Sequence, residues 1–311
     1  MTKTALLFPG QASQYVGMGK DLYDASADVR QLYELASEEM KFDIARLSFE
    51  GPQDQLKQTR FTQPAILVHS LAVLMVLGDD LPEFDYAAGH SLGEYGALAA
   101  AGALSSEAAI KAVVRRAALM EEACQANPGT MAAIMGLGED ALADLCRQAS
   151  ETGVVVPANY NSAVQTAISG ELAAVEKAVE LAKAAGAKRA MLLEVGGAFH
   201  SPLMEPARKG LQAYLAEQEI AVPKQPVVAN VTAEPVGDGE TIRKLLIQQV
   251  TAPVRWAQTM KYLAEQDVKT IYEIGPGKVL TGLAKRDLKP ETSVNLDSMA
   301  DVETLVAVNS R

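Results

Sequence analysis

Short apolar runs alternate with longer amphipathic stretches along most of this chain. TALLF (residues 4–8) and FDYAAG (84–89) have the length and composition of buried strands, while LVHSLAVLMVLGDD (67–80) and SSEAAIKAVVRRAALMEEA (105–123) repeat apolar positions at helical spacing. The second helix has Ser105 or Ser106 as N-cap and stops before Asn127-Pro128-Gly129. Strand and helix in alternation predict a parallel α/β sheet. From about residue 127 the rhythm changes. Strand GTMAAIMGL, helix EDALADLCRQAS, strands VVVPANY and QTAISG, a helix over 171–185 and strand AKRAMLLEV spell β-α-β-β-α-β, the order of a ferredoxin-like unit. After Gly196-Gly197 the first rhythm resumes, with strands at PVVANV and TIYEIG. The predicted fold is therefore α/β, a hydrolase-like parallel-sheet core built from 1–126 and 197–311, with a ferredoxin-like subdomain inserted at 127–196. No internal repeat or low-complexity linker separates the two.

Composition narrows the function classes. A net charge of −11 disfavours a broad nucleic-acid or anionic-membrane surface, so small-molecule chemistry is the expectation. No continuous apolar run reaches membrane-spanning length, and the first residues lead straight into a strand rather than into a secretory h-region. Cys124 and Cys146 lie in helical segments without metal-ligand spacing. These features predict a cytoplasmic protein with reduced thiols and no metal.

The chemistry concentrates at GHSLGEYGALAAAG, residues 89–102. A serine between two glycines, after an apolar strand and before an Ala-rich helix, is the arrangement that lifts a nucleophile onto a tight turn at a helix N-terminus. Ser91 is thus the candidate nucleophile, with the helix dipole favouring an oxyanion beside it. Three histidines are available as its base. His90 adjoins the serine and points to the other face of the strand; His69 sits in an apolar helix. His200, in GAFHSPLM at the return to the larger domain, is left as the base. A hydrolase triad would add an acid, for which Glu194 is the nearest upstream candidate, although a backbone carbonyl can hold an imidazole equally well. At this level an esterase or thioesterase, an acyl transferase and a non-catalytic scaffold all remain open. The PGQASQYVGMGK stretch lacks the GK[ST] or GxGxxG of a nucleotide-binding loop.

LFPGQASQYVGMG, TQPAILVHSLAVL, GHSLGEYGALAAAGALS, NYNSAVQTAISG, GAFHSPLM, NVTAEP, QVTAPVRW and YEIGPGKVLTGLAKR, in that order from residue 4 to about 290, resemble the malonyl-CoA:acyl carrier protein transacylases and the acyltransferase domains of polyketide synthases. The resemblance implies that Ser91 is acylated, that His200 is its base, and that the N–H groups of Gln11 and Leu92 form the oxyanion hole. It further implies that Arg116 grips the malonyl carboxylate, that the Gln249 carbonyl orients His200, and that Asn159 and Asn161 line the site. Helical periodicity alone leaves Arg115 and Arg116 flanking the buried stripe at similar angles. Phe199, preceding the base, implies unbranched malonyl over methylmalonyl. No cofactor is implied: malonyl-CoA is the substrate, and the acceptor is the phosphopantetheine thiol of an acyl carrier protein, in fatty acid synthesis or with a discrete polyketide synthase. Lys188-Arg189, Arg208-Lys209 and Lys285-Arg286 are candidate docking pairs for an acidic carrier. The chain departs from the family at Ala12, where a glycine is usual; if that position has positive φ, alanine strains the Gln11 turn.

Overall fold

A computed structural model describes residues 2–309 as two sheets sharing one site. The larger sheet contains β1 (Lys3–Phe8), β2 (Tyr86–Gly89), β7 (Val227–Val228), β8 (Pro235–Val236), β9 (Val268–Ile274) and β10 (Thr292–Leu296). Its order is β10-β9-β1-β2-β7-β8, and all neighbours run parallel except β7 and β8. The smaller contains β3 (Thr130–Met135), β4 (Val155–Ser162), β5 (Gln165–Gly170) and β6 (Arg189–Leu192), ordered β4-β5-β3-β6 and wholly antiparallel. With helices Glu139–Ala149 and Leu172–Ala184 inserted after β3 and β5, this is the ferredoxin-like arrangement.

Period-two alternation explains how the larger sheet is covered on both faces. Along β1, Leu6 and Phe8 enter the main core, whereas Ala5 and Leu7 enter a second one with Trp256, Met260 and Leu280. All four are fully buried, so the run reads as continuously apolar. The main core is filled by helices Thr59–Leu77 and Ser106–Ala126. The stretch Thr59–Asp80, whose most apolar 18-residue window has mean hydropathy 1.7, is the one span among the described residues long and apolar enough to cross a membrane, yet 78% of that window is buried inside the protein. It is apolar all round because the core surrounds it.

The small sheet uses its two faces differently. Ala132 and Ile134 of β3 and Ile168 of β5 pack on the subdomain's helices, while Met131 and Ala167, on the opposite face, border the site. Backbone hydrogen bonds from Val254 N–H to Ala158 O (2.8 Å) and from Tyr160 N–H to Val254 O (2.9 Å) fasten β4 to the larger domain. The small sheet therefore roofs a site whose floor is the end of β2.

Candidate active site

The strand-to-helix turn after β2 is closed by contacts that only hydrogen atoms tolerate. A Cβ on Gly89 would stand 2.0 Å from the Gly93 carbonyl, and one on Gly93 would stand 2.2 Å from Phe8 O. Between them Ser91 is driven to φ 53, a left-handed conformation costing a non-glycine residue ~1–2 kcal/mol. Asn230, just beyond β7, holds it there. Its Oδ1 accepts the Ser91 N–H at 2.7 Å and its Nδ2 donates to Gly89 O at 2.6 Å. Helix Gly93–Ala100 then starts with its N-terminus behind the serine.

His200 also takes positive φ, 56°. Ser201 fixes its loop by donating to Ala198 O (2.6 Å) and accepting from Leu203 N–H (3.3 Å). The imidazole Nε2 lies 2.8 Å from Ser91 Oγ and Nδ1 lies 2.8 Å from Gln249 O. The partners dictate the tautomer. A carbonyl only accepts, so Nδ1 carries the proton and donates to Gln249 O. Arg116 only donates, so Ser91 Oγ accepts from its Nη2 at 2.9 Å and directs its own proton to Nε2. Burial and the nearby Arg116 cation lower the His200 pKa to about 3, which keeps the imidazole neutral and able to take a proton.

Arg116 comes from helix Ser106–Ala126, whose N-cap Ser105 accepts from Ala108 N–H. Where periodicity left two arginines open, the structure separates them: Arg115 is exposed and Arg116 is 1% exposed. Its guanidinium hydrogen bonds go to neutral oxygens alone, with Nη1 on Gln63 Oε1 and Nη2 on Gln249 Oε1 (2.9 Å) besides Ser91 Oγ. Nε is buried without a partner. A buried cation so placed makes no direct ion pair, the buried Glu94 carboxyl acting on it only at longer range, and it presents an anion site beside the serine.

Of these groups Gln63, Ser91 and His200 line a cavity of about 280 Å³, which is also bordered by Gln11, Leu92, Asn159, Asn161 and Phe199. Among the described residues no acceptor takes the Gln11 or Leu92 N–H, leaving both for a ligand. Ala12 has φ 84, so the position where the family carries glycine does need a left-handed residue. Its N–H donates to Gln14 Oε1 at 2.8 Å, which steadies the turn. Asn161 Oδ1 receives the Nε2–H of His90 at 2.9 Å, so His90 ties the roof to the elbow. Burial lowers the His90 pKa and keeps the ring neutral. His69 is buried against Asp297 and Glu194 is exposed. Among the described residues no cluster of three His, Cys, Asp or Glu could hold a metal ion.

Three site residues carry no mark in the sequence: Gln63, Asn230 and Glu94. Gln63 and Asn230 sit within the TQPA and NVTAEP blocks, and Glu94 follows the elbow, but nothing in their spacing says what their side chains face.

Comparison with known proteins adds a lineage. The family model described as acyl transferase domain matches residues 5–307. A malonyl CoA-acyl carrier protein transacylase of Bacillus subtilis (strain 168) is 43% identical over 306 residues, spanning 98% of this chain and 96% of that one. The crystal structure of an acyl carrier protein S-malonyltransferase from Vibrio cholerae superposes with TM-score 0.92 at 43% identity, covering 98% of this chain and 100% of that one. A malonyl-transacylase solved in complex with a type II polyketide-synthase acyl carrier protein gives TM-score 0.93 at 39% identity, covering 99% and 100%.

Proposed function

The chain belongs to the acyl transferase domain family, and on that premise we propose that it moves malonyl from malonyl-CoA to the phosphopantetheine thiol of an acyl carrier protein, through an ester on Ser91. The observation that carries this reading is the buried Arg116 cation, 2.9 Å from the nucleophile and bonded only to neutral oxygens. A malonyl thioester has a carboxylate one methylene beyond its reacting carbonyl. When that carboxylate takes two guanidinium N–H groups, the carbonyl is brought over Ser91 Oγ. Acetyl has no such handle.

The steps follow from the hydrogen-bond directions. Ser91 Oγ attacks the thioester carbon as its proton passes to His200 Nε2, and the imidazolium is held by Gln249 O through Nδ1. The developing oxyanion takes the Gln11 and Leu92 N–H groups. Collapse breaks the C–S bond, and His200 returns the proton to the CoA thiolate. The carrier's thiol then gives its proton to His200 and attacks the ester carbon; the bond to Ser91 Oγ breaks and His200 returns the proton to that oxygen. Substrate binding also tunes the base: a carboxylate on Arg116 offsets the cation that depresses His200, making the imidazole more basic when the reaction begins.

Support for a transferase over a hydrolase comes from how the base is held. Gln249 supplies a neutral carbonyl where a hydrolase triad would place a carboxylate, and the cavity has room for the acyl group at Ser91. The carrier-docking part of the proposal rests on two exposed basic pairs. Lys285-Arg286 share a helix with the cavity residues Val279, Leu280 and Leu283, and Lys188-Arg189 lead into β6 and on to the cavity residues Leu193 and Val195. Arg208 is instead occupied by Glu205. Phe199, 6% exposed at the cavity, supports preference for the unbranched acyl group. A cytoplasmic setting belongs to the same proposal, supported by two buried free thiols. Supply of fatty acid synthesis is the pathway reading; the polyketide carrier in one relative's complex keeps a discrete polyketide role as the second.

The test is peptide mapping after brief exposure to malonyl-CoA. A malonyl ester on Ser91, absent from Ser91→Ala, supports the proposal; an intact protein that takes no acyl group overturns it.

A further inference from the structure

Glu94 is a buried carboxyl group that the steps above do not use. It stands in the first turn of helix Gly93–Ala100, three residues after the nucleophile, and is 2% exposed. One of its oxygens, Oε2, accepts from two groups: Gln249 Nε2 at 2.8 Å and Asn230 N–H at 3.1 Å. Those two residues hold most of the site. Gln249 donates to Ser91 O (3.0 Å), accepts from Arg116 Nη2 (2.9 Å) and accepts the His200 Nδ1 proton on its backbone carbonyl (2.8 Å). Asn230 brackets the elbow from Gly89 O to Ser91 N–H.

A primary amide can present either its oxygen or its NH2 to a neighbour, and Arg116 needs the oxygen. An acceptor on the far side of Gln249 settles the choice by claiming the NH2. From this geometry we infer that Glu94 is a positioning residue of the transfer site: through Gln249 it turns an amide oxygen toward Arg116 and thereby sets where the guanidinium meets the acyl carboxylate. The inference rests on the proposed function, since it assigns Glu94 a role in malonyl placement.

What matters in this arrangement is the reach of an acceptor atom rather than a negative charge. Burial raises the Glu94 pKa to about 7, against hydrogen bonds from Asn230 and Gln249 and the Arg116 cation, which lower it. Oε2 stays an acceptor whether or not the other oxygen is protonated. The carboxyl also makes no direct ion pair with Arg116, whose guanidinium hydrogen bonds go to Gln63, Ser91 and Gln249. A carboxylate in contact would compete with the substrate for the same N–H groups. One relayed through an amide leaves them free.

Two conservative variants separate reach from charge. Glu94→Gln keeps the chain length and an acceptor oxygen while discarding the charge. Glu94→Asp keeps the charge while withdrawing the acceptor by one methylene, about 1.5 Å. The assay is acyl loading of the whole protein by malonyl-CoA and by acetyl-CoA, followed by intact mass, with circular-dichroism melts to show that each variant is folded. Glu94→Gln should slow malonyl loading threefold or less, and Glu94→Asp at least tenfold, with the malonyl-over-acetyl ratio falling in the Asp variant alone. A position that only supported the fold would slow both acyl groups alike. If Glu94→Asp does not fold, Glu94→Met, which has a similar length but offers no acceptor oxygen to Gln249, takes its place. Its malonyl-over-acetyl ratio should fall at least fivefold below that of Glu94→Gln. The reverse order, or pairs equally impaired or equally unimpaired, overturns the inference. Failure of the unaltered protein to load malonyl at all would count against the proposed function instead, so the two failures are distinguishable.

Discussion

Replacing Arg116 by methionine keeps the unbranched stem that packs within helix Ser106–Ala126 and removes the guanidinium, and its effect can be worked from the contacts. Nη2 reaches Ser91 Oγ and Gln249 Oε1, both at 2.9 Å, and Nη1 reaches Gln63 Oε1. A malonyl carboxylate exchanges part of this set for two charge-assisted bonds, each about 1.5–3 kcal/mol in the absence of competition. Since neutral oxygens already hold the cation, the net advantage of malonyl over acetyl is about 3 kcal/mol. At 1.36 kcal/mol per decade this is a factor of about 10² in relative kcat/KM. Acetyl loading has no carboxylate to lose and should change about threefold or less, helped by relief of the charge that depresses His200. The assay is rapid-quench loading with each CoA ester, read by intact mass on protein whose fold is checked by circular dichroism. The reasoning is refuted if malonyl and acetyl loading fall by the same factor, for then Arg116 acts on Ser91 and not on the acyl carboxylate.

Other consequences follow from the same contacts. His200 is held neutral, with its pKa lowered from 6.5 to about 3, so it is in base form throughout the range above that value. The kcat/KM for malonyl-CoA should therefore stay level as pH falls from about 8 through 6, and an inflection near 6.5 that persists in Glu94→Gln would contradict this. Ala12→Gly relieves a φ of 84 at a net gain of up to ~1 kcal/mol after the greater freedom of glycine in the unfolded chain is subtracted; an unchanged or lower melting temperature argues against strain at that turn. Asn230→Ala strips partners from Ser91 N–H and Gly89 O at a buried site, so unfolding free energy should drop by about 2–4 kcal/mol and loading with it; a denaturant titration that barely moves would show the elbow is held by something else. Phe199→Ala should raise methylmalonyl loading relative to malonyl by about 10-fold, within the 1–3 kcal/mol that space for one methyl is worth, and competition between the two CoA esters measures it.

Much of this architecture is legible in the sequence because its strands and helices carry the period of what they face. The continuously apolar β1 announces a strand covered on both faces, and the switch at residue 127 announces a second sheet. β10 is harder to see: TSVNL has one fully buried residue and three half-buried ones, so its alternation is faint. At the site, a serine between two glycines and a count of three histidines lead to Ser91 and His200 without coordinates. Arg116 could not be separated from Arg115 by angle alone, since the choice depends on which side of the helix Gln63 and Gln249 occupy. Gln63, Asn230 and Glu94 stay invisible for a related reason. Their work is done by side-chain amide and carboxyl groups whose partners lie between 53 and 155 residues away in most cases, and no local pattern records such a meeting. Glu94 in the first turn of a helix reads as an ordinary dipole partner until its burial is known.

The most direct measurement of the central claim is the fate of the acyl group on Ser91. Protein loaded with malonyl-CoA and freed of excess is divided, one half receiving buffer and the other a pantetheinylated acyl carrier protein, and both are followed by intact mass. The ester should persist in buffer and move within seconds to minutes to the carrier, which gains the malonyl mass as Ser91 loses it. Loss at one rate in both halves, with no gain by the carrier, would show that water is the acceptor and that the chain is a hydrolase.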